Sequence, residues 1–117
     1  MSTAEKVAEG LFVELLGKRI ERYREPLASG DQNKSILVYR KAMKAFQRLS
    51  LEDQIALTNF FKVVTIDTAS IVLGGFGGIS DLEGLNDQFF VTYGGESIEE
   101  EIQDAFLAKV EESGILG

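Results

Sequence analysis

Between Leu57 and Val72 the bulky residues keep the spacing of one helical face: Leu57, Phe60, Phe61, Val64, Thr68, Ile71 and Val72. This is the strongest periodicity in the chain, and it predicts a helix at the centre of the core. The β-branched residues from Val63 to Val72 leave a rival reading, a strand over 69–73. The apolar pattern there lacks the every-second-residue alternation of a half-buried strand, which favours the helix. Ser50, with Asp53 three residues on, places a hydroxyl and a carboxylate as in a capping box and starts this helix after almost no loop.

Other segments follow the same period. Val7, Leu11, Phe12, Leu15, Leu16, Ile20 and Tyr23 predict a first helix from Thr3 to Glu25, ended by Pro26, whose ring disfavours helical geometry at the preceding residue. Gly10 and Gly17 lie inside it; each costs about 1 kcal/mol against alanine unless a close contact needs it. A second helix is predicted from Lys34 to Leu49, with Ile36, Tyr39, Met43 and Phe46 on its apolar face and Arg40, Lys44 and Arg48 in a row facing water. After Gly74-Gly75-Phe76-Gly77-Gly78 the run Phe89 to Tyr93 predicts one short strand or hairpin within residues 76–93. Its partner would be Gly78-Ile79-Ser80 or a second chain, because a lone strand leaves backbone groups unpaired. A last helix is predicted to open at Ser97, capped with Glu100, to bury Ile98, Ile102, Ala105, Phe106 and Val110, and to end at Gly114. The expected fold is mainly α, a compact bundle of about four helices forming one domain over 1–117.

Charge is distributed unevenly. Residues 1–50 hold ten Lys or Arg against six Asp or Glu, a balance of +4, and residues 51–117 hold two against thirteen, a balance of −11, which together make the net −7. Such asymmetry steers association with charged partners, or it reflects halves that pack with opposite charges adjacent. The first residues lack the basic and apolar stretches of a secretory signal, and the longest uncharged stretch, 68–80, is shorter than the ~20 residues of a membrane span. A cytoplasmic protein without a transmembrane segment is expected.

The chain has no histidine and no cysteine. That removes the commonest general base, the thiolate nucleophile and the usual zinc and haem ligands. Gly75-Phe76-Gly77-Gly78-Ile79-Ser80 looks like a dinucleotide-binding turn but ends in serine where the fingerprint wants Gly or Ala, and too few residues follow for the βαβ sheet. A helix end and loop explain these glycines, and no cofactor is expected. Glu96, Glu99, Glu100, Glu101 and Asp104 gather where the dipole of the last helix favours carboxylates. Glu99, Glu100 and Glu101 fan round the helix instead of converging, so no metal site is expected. Lys18, Arg19, Arg22 and Arg24 with Arg40, Lys41, Lys44 and Arg48 form a basic surface if the first two helices lie side by side. The net negative charge and the lack of a recognition motif argue against nucleic acid.

Leu49-Ser50-Leu51-Glu52, Asp67-Thr68, the glycine turn, Phe90 and Asp104-Ala105-Phe106-Leu107 together resemble small uncharacterised bacterial proteins over the last half of the chain. The resemblance implies no activity and no residue roles. What the residues themselves suggest is a non-enzymatic protein that binds a protein partner, neutralising or adapting a basic one. Its expected contact surface is Phe76, isolated among glycines, with Glu99, Glu100, Glu101, Asp104 and Glu111. Two alternatives are a homodimer, joined through its oppositely charged faces or through Phe89 to Tyr93, and a small-molecule binder or enzyme using the loop from Gly74 to Gly78.

Overall fold

The computed structural model describes residues 1–31, 33 and 36–117, and the predicted helix start at Lys34 lies outside them. Four helices and one two-stranded antiparallel hairpin make up the mainly α fold. The first helix is a continuous rod: α1 (Thr3–Phe12), a π-helical stretch (Val13–Arg19) and α2 (Ile20–Ser29). It is followed by α3 (Leu37–Gln47), α4 (Leu51–Phe76), the hairpin β1 (Thr92–Tyr93) and β2 (Glu96–Ser97), and α5 (Ile102–Ser113).

A reciprocal capping box opens the rod. Ser2 Oγ accepts from Glu5 N and Ser2 N donates to Glu5 Oε1, both at 3.1 Å. Pro26 does not end the rod as the sequence suggested. It falls in the last turn, so the helix runs only to Ser29 beyond it, and Gly30 N donates to Pro26 O at 2.8 Å. α1 packs on α5 and α2 on α3; the π stretch lies between these two packing partners and shifts the register of the rod's face there.

α4 is helical without a break through the rival strand segment, and Ser50 Oγ caps it by accepting from Asp53 N at 3.1 Å. The helix also runs through Gly74 and Gly75, which the sequence had placed in a loop. A Cβ on Gly74 would lie 2.4 Å from both Gln103 Nε2 and Ser80 Oγ, and one on Gly77 would lie 2.6 Å from the carbonyl oxygen of Glu99. These glycines let the end of α4 meet the start of α5.

The hairpin is displaced from the predicted 76–93. Thr92 pairs with Ser97 and Tyr93 with Glu96, so the strand finds its partner directly across Gly94-Gly95. Both glycines have positive φ, 58° and 83°, the backbone that a two-residue hairpin turn demands. Ser97 is thereby spent as a strand residue and does not cap the last helix. Ile98 N still donates to Val91 O at 2.9 Å, and α5 begins only at Ile102.

The main core joins Ala4, Ala8 and Leu16 of the rod, Ile66 and Leu73 of α4, and Ile98, Ile102, Phe106 and Val110. Small residues on α1 let α5 come close, and Phe106 is fully buried, 0% exposed. A second, smaller cluster holds Leu27, Met43 and Phe46, with Tyr39, Leu49 and Phe61 against it. The helices spread more widely than in a compact bundle. The radius of gyration is 17.1 Å, against about 13 Å for a compact domain of this length.

α4 is 26 residues long, and by length and composition it is apolar enough to cross a membrane, with Lys62 and Asp67 as charged residues in its middle. The expectation of no membrane-length segment rested on the uncharged run 68–80, and α4 reaches that length only by including Lys62 and Asp67.

The glycine contacts separate two kinds of substitution. Gly77→Ala is expected to destabilise the chain by about 1–3 kcal/mol, because its neighbour is backbone that cannot rotate away. Gly10 has nothing within 4 Å of an added Cβ, so Gly10→Ala is expected to stabilise by about 1 kcal/mol. Thermal melts of the two variants, read by circular dichroism, check both signs.

Candidate functional site

The face of α4 that the sequence assigned to the core is turned outward. Phe60 is 58% exposed, Val64 49%, Ile71 56% and Val72 46%. The core takes the opposite side of the helix, through Ile66 and Leu73. No charged residue interrupts the stripe from Leu57 to Val72, because Lys62 and Asp67 fall to either side of it at 100° per residue. Two apolar grooves run along its edge. One, of about 680 Å³, is lined by Tyr23, Leu27, Val38, Tyr39, Leu57 and Phe60 among others. The second, of about 410 Å³, lies between Leu11, Leu15 and Arg19 of the rod and Thr68, Ala69 and Val72 of α4. Tyr23, Val64 and Thr65 line both, so the two form one trough between the rod and α4. Leu82 closes the C-terminal end of the face by packing where a Cβ on Gly75 would stand.

The predicted contact residues are divided by the fold. Phe76 turns inward: it is half-buried against the main core and meets the Phe89 ring edge-on at 5.4 Å between centroids. Glu99 is also inside, 6% exposed, and its Oε2 accepts no hydrogen bond. Phe76 keeps only part of its ring exposed, and Glu99 almost none of its surface. Glu100, Glu101, Asp104 and Glu111 are exposed as the sequence reading required, and no ion pair described in the structure reaches them.

The glycine loop lines a more polar cavity of about 570 Å³, with Gly75, Gly77, Gly78, Asp81, Asp87 and Glu99 among its walls. The segment before it is helix and not strand, so the geometry of a dinucleotide-binding turn is missing. Among the described residues no three carboxylates gather where they could hold a metal ion.

The basic residues of the rod are largely taken up by neighbouring acids. Glu14 Oε1 lies 2.9 Å from Arg19 and 3.7 Å from Arg22, and Arg24 forms a two-pronged pair with Glu21. The hydrogen bond from Arg19 holds the Glu14 carboxyl below the ordinary glutamate range, and the one from Arg24 does the same for Glu21. Between the two halves of the chain the described ion pair is Lys109 with Glu9 at 3.3 Å, which has its charges the opposite way round from the overall asymmetry. Apart from Glu99, the acids of the C-terminal half stay on the surface. Arg40, Lys44 and Arg48 of α3 are likewise exposed.

Comparison with protein-family models, with curated proteins and with solved structures yields no match. The roles of these surfaces therefore rest on geometry alone. The residues from Leu57 to Val72 do form one stripe, as their spacing predicts, but the stripe lies outside the core. The signal for this was the shortage of matching apolar residues elsewhere: the main core already fills with Ile98, Ile102, Phe106 and Val110 against the other side of α4.

Arg19→Ala is expected to raise the Glu14 titration midpoint toward the ordinary glutamate value, as read by NMR of the side-chain carboxyl carbons. The sign follows from the lowered carboxyl pKa: the pair stabilises the fold above the ordinary glutamate range. That contribution is lost as pH falls through the lowered midpoint.

Proposed function

We propose that the chain works as an interaction protein, acting by contact with another protein surface and not by transforming a substrate. The observation that carries this reading is the uncovered α4 face with its trough. A charge-free stripe of Leu57, Phe60, Val64, Ile71 and Val72 in water loses about 25 cal/mol for each Å² of apolar surface left exposed, and contiguous apolar patches of this kind mark binding sites. The lack of histidine and cysteine supports the same reading, because it leaves few groups suited to proton transfer or nucleophilic attack.

A second surface suits a basic partner. Glu100, Glu101, Asp104 and Glu111 stand exposed on and just before α5, and α5 packs on the side of α4 away from the stripe. Complementary charge there would speed encounter with a basic protein, to be neutralised or adapted, more than it would tighten the complex.

A photo-crosslinking residue placed in cells at Phe60, at Glu101 and, as a control, at the exposed Lys6 of α1 tests both surfaces. The label at Phe60 is expected to yield a defined protein adduct and the label at Lys6 none. An adduct from Glu101 should weaken as salt is raised. If no label yields a protein adduct, the interaction reading is wrong.

A further inference from the structure

We infer that the α4 face is covered by the same face of a second copy of this chain, in an antiparallel arrangement with a two-fold axis passing beside Val64. This rests on the reading that the α4 face is an interaction surface, and it names the occupant.

Area is the first support. A folded monomer of 12.9 kDa is expected to expose about 6,300 Å². This chain exposes 8002 Å², an excess of about 1,700 Å², and Phe60, Val64, Ile71 and Val72 of the α4 face are among its exposed large apolar side chains. A stable dimer needs about 800 Å² from each partner, and obligate ones take 1,000 Å² or more, so the excess is large enough to supply an interface.

The stripe is also self-complementary. It runs from Leu57 to Val72 and is centred next to Val64. Two antiparallel copies related at Val64 set Leu57 opposite Ile71 of the second copy, and the bulky Phe60 opposite the small Thr68 of the second copy. Leu57, Val64 and Ile71 meet apolar side chains and Phe60 a small one, while Phe61, drawn toward the second cluster, stands level with Asp67 of the second copy. Lys62 and Asp67 lie outside it and keep their water.

Charge selects the antiparallel arrangement over the parallel one. α3 flanks the N-terminal half of α4, where Val38 and Tyr39 share the groove with Leu57 and Phe60, and it exposes Arg40, Lys41, Lys44 and Arg48. Beyond the other end of the stripe, where Leu82 packs on Gly75, the loop exposes Asp81, Glu83 and Asp87. An antiparallel pair brings the basic end of each copy to the acidic end of the other. A parallel pair would set like charge against like.

A bilayer is the competing cover, since α4 has the length to span one. It would have to take Lys62 and Asp67 near mid-depth, each costing about 2.5–3.5 kcal/mol on insertion scales. It would also have to displace α5 from Ile66 and Leu73.

Because the chain has no cysteine, single engineered cysteines report proximity cleanly. Sedimentation equilibrium of the unmodified chain is expected to give twice the monomer mass. A short bismaleimide should join Val64→Cys chains into dimers and leave Ala108→Cys chains monomeric. Val64→Glu should weaken dimerisation by about 100-fold or more, because it buries two facing carboxylates at the axis, while circular dichroism stays helical. If Val64→Glu fails to fold, Thr68→Arg, on the same exposed face, takes its place.

A monomer at high micromolar concentration would overturn the inference, as would a dimer indifferent to Val64→Glu and Thr68→Arg, or flotation of the chain with neutral phosphatidylcholine vesicles. A monomer whose Phe60 label still captures a different protein would remove the second copy and leave the interaction reading standing. A monomer with no adduct would remove both.

Discussion

α4 commits Ile66 and Leu73 to α5 and the rod, and among the described residues no further helix lies over Phe60, Val64 and Ile71. The rest of the architecture is arranged round that shortage. α5 is short and sits on one side, held close because Ala4 and Ala8 of α1 leave room for Phe106. α3 covers only the lower end, through Met43 and Phe46 against Leu27, with Phe61 drawn in at the edge. A bundle with both faces of its longest helix apolar and cover for only one cannot close on itself, and the large radius of gyration is the direct result.

The helices were legible because their signals are local. Ser50 and Asp53 start α4 as written, and the three-and-four spacing of apolar residues finds every helix. What local signals do not contain is which of two apolar sides meets the rest of the chain. Leu57 to Val72 is the more regular stripe, yet the large apolar side chains that α4 buries are Ile66 and Leu73, on the other side. Periodicity measures how well a face could be buried, and the supply of complementary surface decides whether it is. The hairpin was misplaced for a related reason. Gly94-Gly95 is a strong turn signal, but Ser97 and Glu100 form an equally good capping pattern, and the tertiary need to pair Val91 with Ile98 settles the competition.

The glycine cluster shows the same limit from another direction. Gly74, Gly75 and Gly77 look alike in sequence to glycines that cradle a phosphate. In the fold they are defined by what touches them: Gln103 and Ser80 at the first, Leu82 at the second, the Glu99 carbonyl at the third. Close approach of α4 to the start of α5 accounts for Gly74 and Gly77, and the packing of Leu82 from the following loop accounts for Gly75. That contact also turns Phe76 inward onto Phe89 and removes it from the surface where its isolation in the sequence had placed it. The acids Glu100, Glu101, Asp104 and Glu111 keep their expected exposure, and among the described residues no ion pair reaches them.

Pairing two copies through α4 doubles a net charge of −7, so the apolar seam works against a mutual repulsion. The two terms differ in range. Overall repulsion acts over many ångströms and is screened beyond about 8 Å at physiological salt, whereas burial of Phe60 and Val64 acts only at contact and is nearly blind to salt. The basic ends beside α3 and the acidic loops beyond Gly75 lie between these extremes, at the rim, where attraction is screened as readily as repulsion. Salt dependence of the dimer therefore reads the balance: association that strengthens with salt means the distributed acids dominate, and association that weakens means the rim pairs do. In either case the acids of α5, on the far side of α4 from the seam, remain in water and are presented twice, once on each copy, to any basic partner.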